Sequence, residues 1–165
     1  QNSILLRSKD GRALIAHEFL KIPKDKTLRL YVDGDFASLA ILRFWLDLIK
    51  ERKDLRVYGY SKSWQLFLAL EKQGYKFPAN YLLNVSSGSR YGDGIKEKVL
   101  GLSCTRGEFL AVPVARKEIV ERLRETGQAK RFACPGNCGN CLGAKLHACG
   151  TDKMRGVTIA IGIHN

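Results

Sequence analysis

A mostly parallel α/β sheet of strand-helix units is predicted by two features of the sequence. Short apolar or alternating runs recur at nearly even spacing, and amphipathic helical stretches fill the gaps between them. The runs begin at Leu28, Leu55 and Tyr81, close to the roughly thirty-residue period of a strand-helix-strand unit. At 165 residues the chain suits a single domain, residues 1–165. Its expected parts are a strand-helix core over 27–127, a Cys-rich metal-binding loop over 130–155 and a closing strand over 156–164.

Asn2 to Phe19 reads as a helical lead-in broken at Asp10-Gly11. After the turn at Ile22-Pro23-Lys24-Asp25, Leu28 to Val32 alternates as a strand and stops at Asp33-Gly34-Asp35. Ala37 to Lys50 carries Leu39, Leu42, Leu46 and Ile49 at helical spacing. The unit repeats: Leu55 to Tyr60 is a strand ending in Ser61-Lys62-Ser63, and Trp64 to Gln73 a helix capped by Gly74. Tyr81 to Val85 is a third strand, ending in Ser86-Ser87-Gly88-Ser89-Arg90. Beyond it, Val99 to Leu102 and Phe109 to Val112 read as short strands, and Arg116 to Thr126 as a charged helix with Lys117–Glu121 and Glu118–Arg122 four residues apart. Val157 to Ile163 reads as a buried closing strand.

In parallel α/β architectures ligands sit beyond the carboxyl ends of the strands, because those loops open onto one face. The three strands deliver Asp33 and Asp35, then Ser61 and Lys62, then Ser86, Ser87, Ser89 and Arg90 to that rim. Asp33, Asp35 and Lys62 are the candidate catalytic groups; a helix cap is the structural alternative for Asp35. Ser61 and the Ser86–Arg90 run offer hydroxyls, backbone amides and a guanidinium to a nucleotide or other anion.

Four of the five cysteines fall in one stretch, Cys134-x3-Cys138-x2-Cys141 followed by Cys149. Thiolates converging from a glycine-rich loop are what a soft metal needs. The three crowded cysteines and a fourth nearby fit a 4Fe-4S iron-sulfur cluster better than zinc, which favours two separated Cys-x2-Cys elbows and is the alternative. Cys104 stands apart and reads as a small core residue.

The net charge of +12 points to a phosphate-rich partner, nucleic acid first. Around the cysteines lie Lys130, Arg131, Lys145, Lys153 and Arg155 against the single acid Asp152, the expected contacts. No apolar run is long enough to cross a bilayer and none reads as a signal peptide, so a cytoplasmic, reducing compartment is expected and membrane partners are not.

Several stretches together resemble the phage gene product 88 family, found on bacteriophages and mobile elements. They are Leu28 to Phe36, Trp45, Val57 to Ser63, Pro78-Ala79-Asn80 and the late cysteines. Gly34, Asp35, Phe36, Lys62, Ser63, Pro78 and Asn80 take the places of that family's pattern, while Asp33 replaces its serine and Ser61 its threonine. The resemblance implies a mobile-element protein acting in a bacterial host, a strand-end site and a cysteine-bound metal, without a settled reaction. With the distant likeness of the cysteine spacing to radical SAM enzymes, it leads to two expectations. One is a partial βα barrel of radical-SAM-like type that binds a metal cluster and a nucleotide or nucleic acid. The other is a non-catalytic nucleic-acid-binding or host-defence-interacting protein with a structural metal.

Overall fold

The computed structural model describes residues 2–125, 131–143 and 146–162. Two helices come first, α1 (Asn2–Arg7) and α2 (Lys9–Leu20). The break between them falls at Ser8, whose hydroxyl caps α2 by accepting from the Gly11 amide. Gly11 lies within α2, where a Cβ would stand 2.1 Å from the Leu5 carbonyl oxygen, so its missing side chain lets the helices meet.

The parallel units follow. β1 (Thr27–Leu30) ends where Tyr31 turns into the left-handed region, φ 57°. Helix α3 (Leu39–Glu51) is capped by the Ser38 hydroxyl and turns Leu42, Leu46 and Ile49 inward, all fully buried. β2 (Arg56–Ser61), α4 (Trp64–Lys72) and β3 (Tyr81–Ser86) complete the second unit. Val99 and Leu100 belong to helix α5 (Asp93–Leu100) and not to a strand, because Val99 is the residue the helix turns inward. Phe109 to Val112 lies in β4 (Thr105–Val112), and α6 (Arg116–Glu125) follows. A three-residue strand not apparent in the sequence, β5 (Arg131–Ala133), precedes α7 (Cys138–Gly143). Two 3-10 turns, Ala148–Gly150 and Asp152–Met154, lead into β6 (Thr158–Gly162).

All six strands are parallel, in the order β1-β2-β3-β4-β6-β5. Side chains alternate between the two faces. Leu30, Val57, Tyr81, Leu83 and Val85 join Phe67 and Leu70 of α4 in the main core beneath the helices. Tyr58 and Asn84 face the other way, toward the 3-10 turns: Tyr58 meets the His147 ring edge-on, and Asn84 donates to the Cys149 carbonyl at 3.0 Å.

The fold class is thus corrected in two respects. The sheet has β1 and β5 as edges, and among the described residues no ladder joins them into a barrel. Among the described residues the C-terminal cysteines are not gathered into a metal loop. Their segment contributes an edge strand, the short helix α7 that carries Cys138 and Cys141, and two turns, and it is tied to the sheet by backbone pairing such as Cys134 N–H to the Ala160 carbonyl at 2.7 Å.

Candidate functional site

At the carboxyl ends of β1 and β2 the predicted rim residues do meet, and they bond chiefly to one another. Asp35 Oδ1 accepts from the Phe36 amide at 2.7 Å and the Ser61 hydroxyl at 2.8 Å; Oδ2 accepts from the Lys62 amide at 2.6 Å and the Ser63 amide at 3.1 Å. Ser63 Oγ donates back to the Phe36 carbonyl. Both oxygens of Asp35 are therefore engaged, and its position in the fold is that of a clasp between two loops; the cap of α3 is Ser38. Asp33 remains exposed on the turn.

The third loop is tied in the same way. Ser89 Oγ donates to the Lys62 carbonyl at 2.9 Å, and Ser87 Oγ accepts from the Ala111 amide at 3.0 Å. Arg90 lies over the Tyr91 ring and donates to its hydroxyl. Lys62 is exposed, its ammonium running beside Gly88. Ser86 is half-buried at the strand end. The rim's cations thus stand outside a lattice of hydroxyls and amides that holds the loops.

The cysteines of the C-terminal segment border one small cavity on the face of the sheet opposite α3, α4 and α5. Cys134, Cys138, Cys141 and Cys149 line it together with Tyr58, Tyr60 and His147. Its volume is about 50 Å³, room for a few water molecules. Two of the sulfurs accept from nearby amides, Cys134 from Gly136 N–H and Cys141 from Ala148 N–H. Burial pushes the Cys149 thiol up to about 11 and also raises Cys134. Burial likewise pushes the Tyr60 hydroxyl far above its ordinary range. Among the described residues no group of three or more Cys, His, Asp or Glu side chains is placed to hold a metal ion. The expectation of an iron-sulfur cluster or zinc on Cys134, Cys138, Cys141 and Cys149 is corrected accordingly, and with it the metal-dependent function and the radical-SAM likeness. No cysteine is in a disulfide.

Of the expected nucleic-acid contacts, Lys130 and Lys145 lie outside the described residues. Arg131 is exposed on edge strand β5. Arg155 is largely spent inside the chain, donating to the Ser103 and Thr105 carbonyls and pairing with Asp152 at 2.6 Å. Lys153 is placed differently: it lines a cavity of about 660 Å³ at the amino ends of β2 and β3.

That cavity gathers four cations the sequence reading passed over. Lys50 comes from the end of α3, Lys53 from the turn after it, Arg56 from the start of β2 and Lys76 from the loop before β3. Asp152 is its one carboxylate, and Arg155 already holds it. The wall is braced from behind by Asn80, whose amide nitrogen donates to the carbonyls of Ile49, Arg52 and Leu55 at 2.9–3.0 Å. The available signal was the run of basic residues flanking Leu55, but attention to carboxyl strand ends directs the search to the opposite end of the sheet.

Among the described residues no helix is long and apolar enough to cross a membrane. No curated protein and no solved structure matches the chain. The family model for gene product 88 matches residues 6–156, spanning the Asp35 clasp, the Asn80 brace and the cysteine segment, and the chain belongs to the phage gene product 88 family.

Proposed function

We propose that the chain binds nucleic acid and that the cavity at the amino ends of β2 and β3 holds the phosphate backbone. The observation that carries this reading is the cavity's charge imbalance. Lys50, Lys53, Arg56, Lys76 and Lys153 have no ion-pair partner among the described residues, and the one carboxylate beside them is occupied. Like charges gathered around a concave wall repel one another, and an anion there removes that cost. Because the five come from five places in the fold, a helix end, a turn, a strand start, a loop and a 3-10 turn, they are spread more widely than one phosphate needs, which favours a polyanion.

A net charge of +12 supports the same partner through long-range attraction and counterion release. At the other end of the sheet, Lys62 and Arg90 offer a lesser phosphate contact, while Asp35 and the serines hold the loops that carry them. The test is binding of a labelled mixed-sequence oligonucleotide, followed by fluorescence anisotropy. The Lys53→Glu/Lys76→Glu variant is expected to lose about tenfold or more in affinity at moderate salt, whereas Lys98→Glu on the exposed face of α5 has little effect. Equal affinities for the two variants would place binding elsewhere.

A further inference from the structure

We infer that the ligand of this cavity is single-stranded nucleic acid, taken with one base unstacked against Phe77; the inference rests on the nucleic-acid reading above. The cavity has two chemically distinct parts. Its cations come from helix end, strand start and loops, whereas Phe77 and Ala79 supply accessible apolar lining over the buried Leu55, Pro78 and Leu82. A duplex turns its phosphates outward and keeps its bases stacked inside, so it can use cations but not an apolar recess. A single strand can use both, its backbone on the cations and a base in the recess.

Phe77 is built to receive a base. It stacks on Phe67 at 6.2 Å with 26° between the planes, and Tyr75 meets it edge-on at 5.7 Å. Tyr75 is itself fixed by Asp47 at 2.7 Å and by Arg43 over its ring. The ring is thus half-buried and held on its inner side while it lines the cavity. A pre-positioned aromatic loses little freedom when a base stacks on it. The volume of about 660 Å³ is that of a small-molecule site, ample for a nucleotide.

The recess offers little to read base identity. The Asn80 amide nitrogen is committed to three carbonyls and one lone pair of the Thr151 hydroxyl to the Lys153 amide, which leaves the Asn80 side-chain oxygen and the Thr151 hydroxyl proton as the few neutral side-chain groups for a base edge. Stacking without edge recognition tolerates any base. The expected ligand is therefore single-stranded and largely sequence-independent.

The experiment compares a fluorescein-labelled mixed-sequence single strand of about 20 nucleotides with the same strand annealed to its complement, at one salt concentration. The single strand is expected to bind about tenfold or more tightly. Phe77→Leu, which keeps an apolar side chain but removes the π-face, is expected to lose about tenfold for the single strand and little for the duplex. Phe77→Trp retains single-strand affinity, and its added indole emission is quenched on binding; this second variant separates loss of stacking from loss of the fold. Duplex binding as tight as single-strand binding, or Phe77→Leu without effect while Lys53→Glu/Lys76→Glu still weakens binding, would overturn this inference and leave the nucleic-acid reading standing. Failure to bind either form would overturn both.

Discussion

Asp35 joins the first two strand-helix units through one carboxylate that accepts four hydrogen bonds, three from backbone amides and one from the Ser61 hydroxyl. Removing such an acceptor leaves four donors without it, the hydroxyl of buried Ser61 among them, and an unpaired buried donor costs more than the net value of its bond. Asp35→Ala is expected to lower unfolding free energy by about 2–4 kcal/mol, and Asp35→Asn by less, as read from urea denaturation. A change under about 0.5 kcal/mol would show that the clasp is dispensable. Asn80→Ala removes the amide from three carbonyls around the end of α3 and is expected to cost about 1–3 kcal/mol by the same measurement. Cys104 gives a pH signature: it is buried in the core, and burial pushes its thiol up to about 12. The folded state thus favours the neutral thiol. That contribution is fully present below the unfolded value near about 8.5 and is lost as pH rises through the folded value, at up to about 1.4 kcal/mol per pH unit. Cys104→Val should flatten the decline in stability between roughly pH 9 and 12, and an unchanged alkaline slope would assign the decline to other groups.

Arg52 ties the lead-in helices to the sheet domain. Its guanidinium pairs with Asp54 at 2.7 Å and donates to the carbonyls of Phe19, Leu20 and Ile22, closing the end of α2. Arg52→Ala should therefore loosen α2 before the sheet, with amide exchange over residues 9–20 accelerating about tenfold or more while β2 and β3 keep their protection; uniform acceleration would mean global destabilisation. The same scale shows what could be read from the chain. The first three strands and their helices were legible because periodicity changes from two to 3.6 at each boundary, and the residues that set it, such as Leu42, Leu46 and Ile49, are the ones buried. Helix α5 was not, since Val99 and Leu100 at its end make a run as compatible with strand as with helix. β5 was hidden because three residues carry no period, and its existence depends on β6 being present to pair with it. Gly11 misplaced the first break because its role is tertiary, the close approach of α2 to Leu5.

Across the whole molecule, the rule that ligands gather at carboxyl strand ends located a meeting of polar groups, but those groups chiefly bond to one another. Asp35, Ser61 and Ser89 were legible as neighbours in space; that their hydrogen bonds close loops was not, because spacing cannot show which lone pairs remain free. The cysteines were legible as a local cluster, while the small cavity they border depends on the sheet beneath them. The large basic cavity joins the basic run flanking Leu55 to Lys76 and Lys153, so that run alone could not show that the distant cations close around it. The measurement that tests the central claim most directly is the salt dependence of oligonucleotide affinity, compared between the parent chain and Lys53→Glu/Lys76→Glu. With about three to five phosphates engaged, log affinity should fall against log salt with a slope of roughly −2 to −3.5 for a single strand, and the variant should be shallower by about one or more. A slope near zero, or one the substitutions leave unchanged, would contradict the assignment of this cavity as the nucleic-acid site.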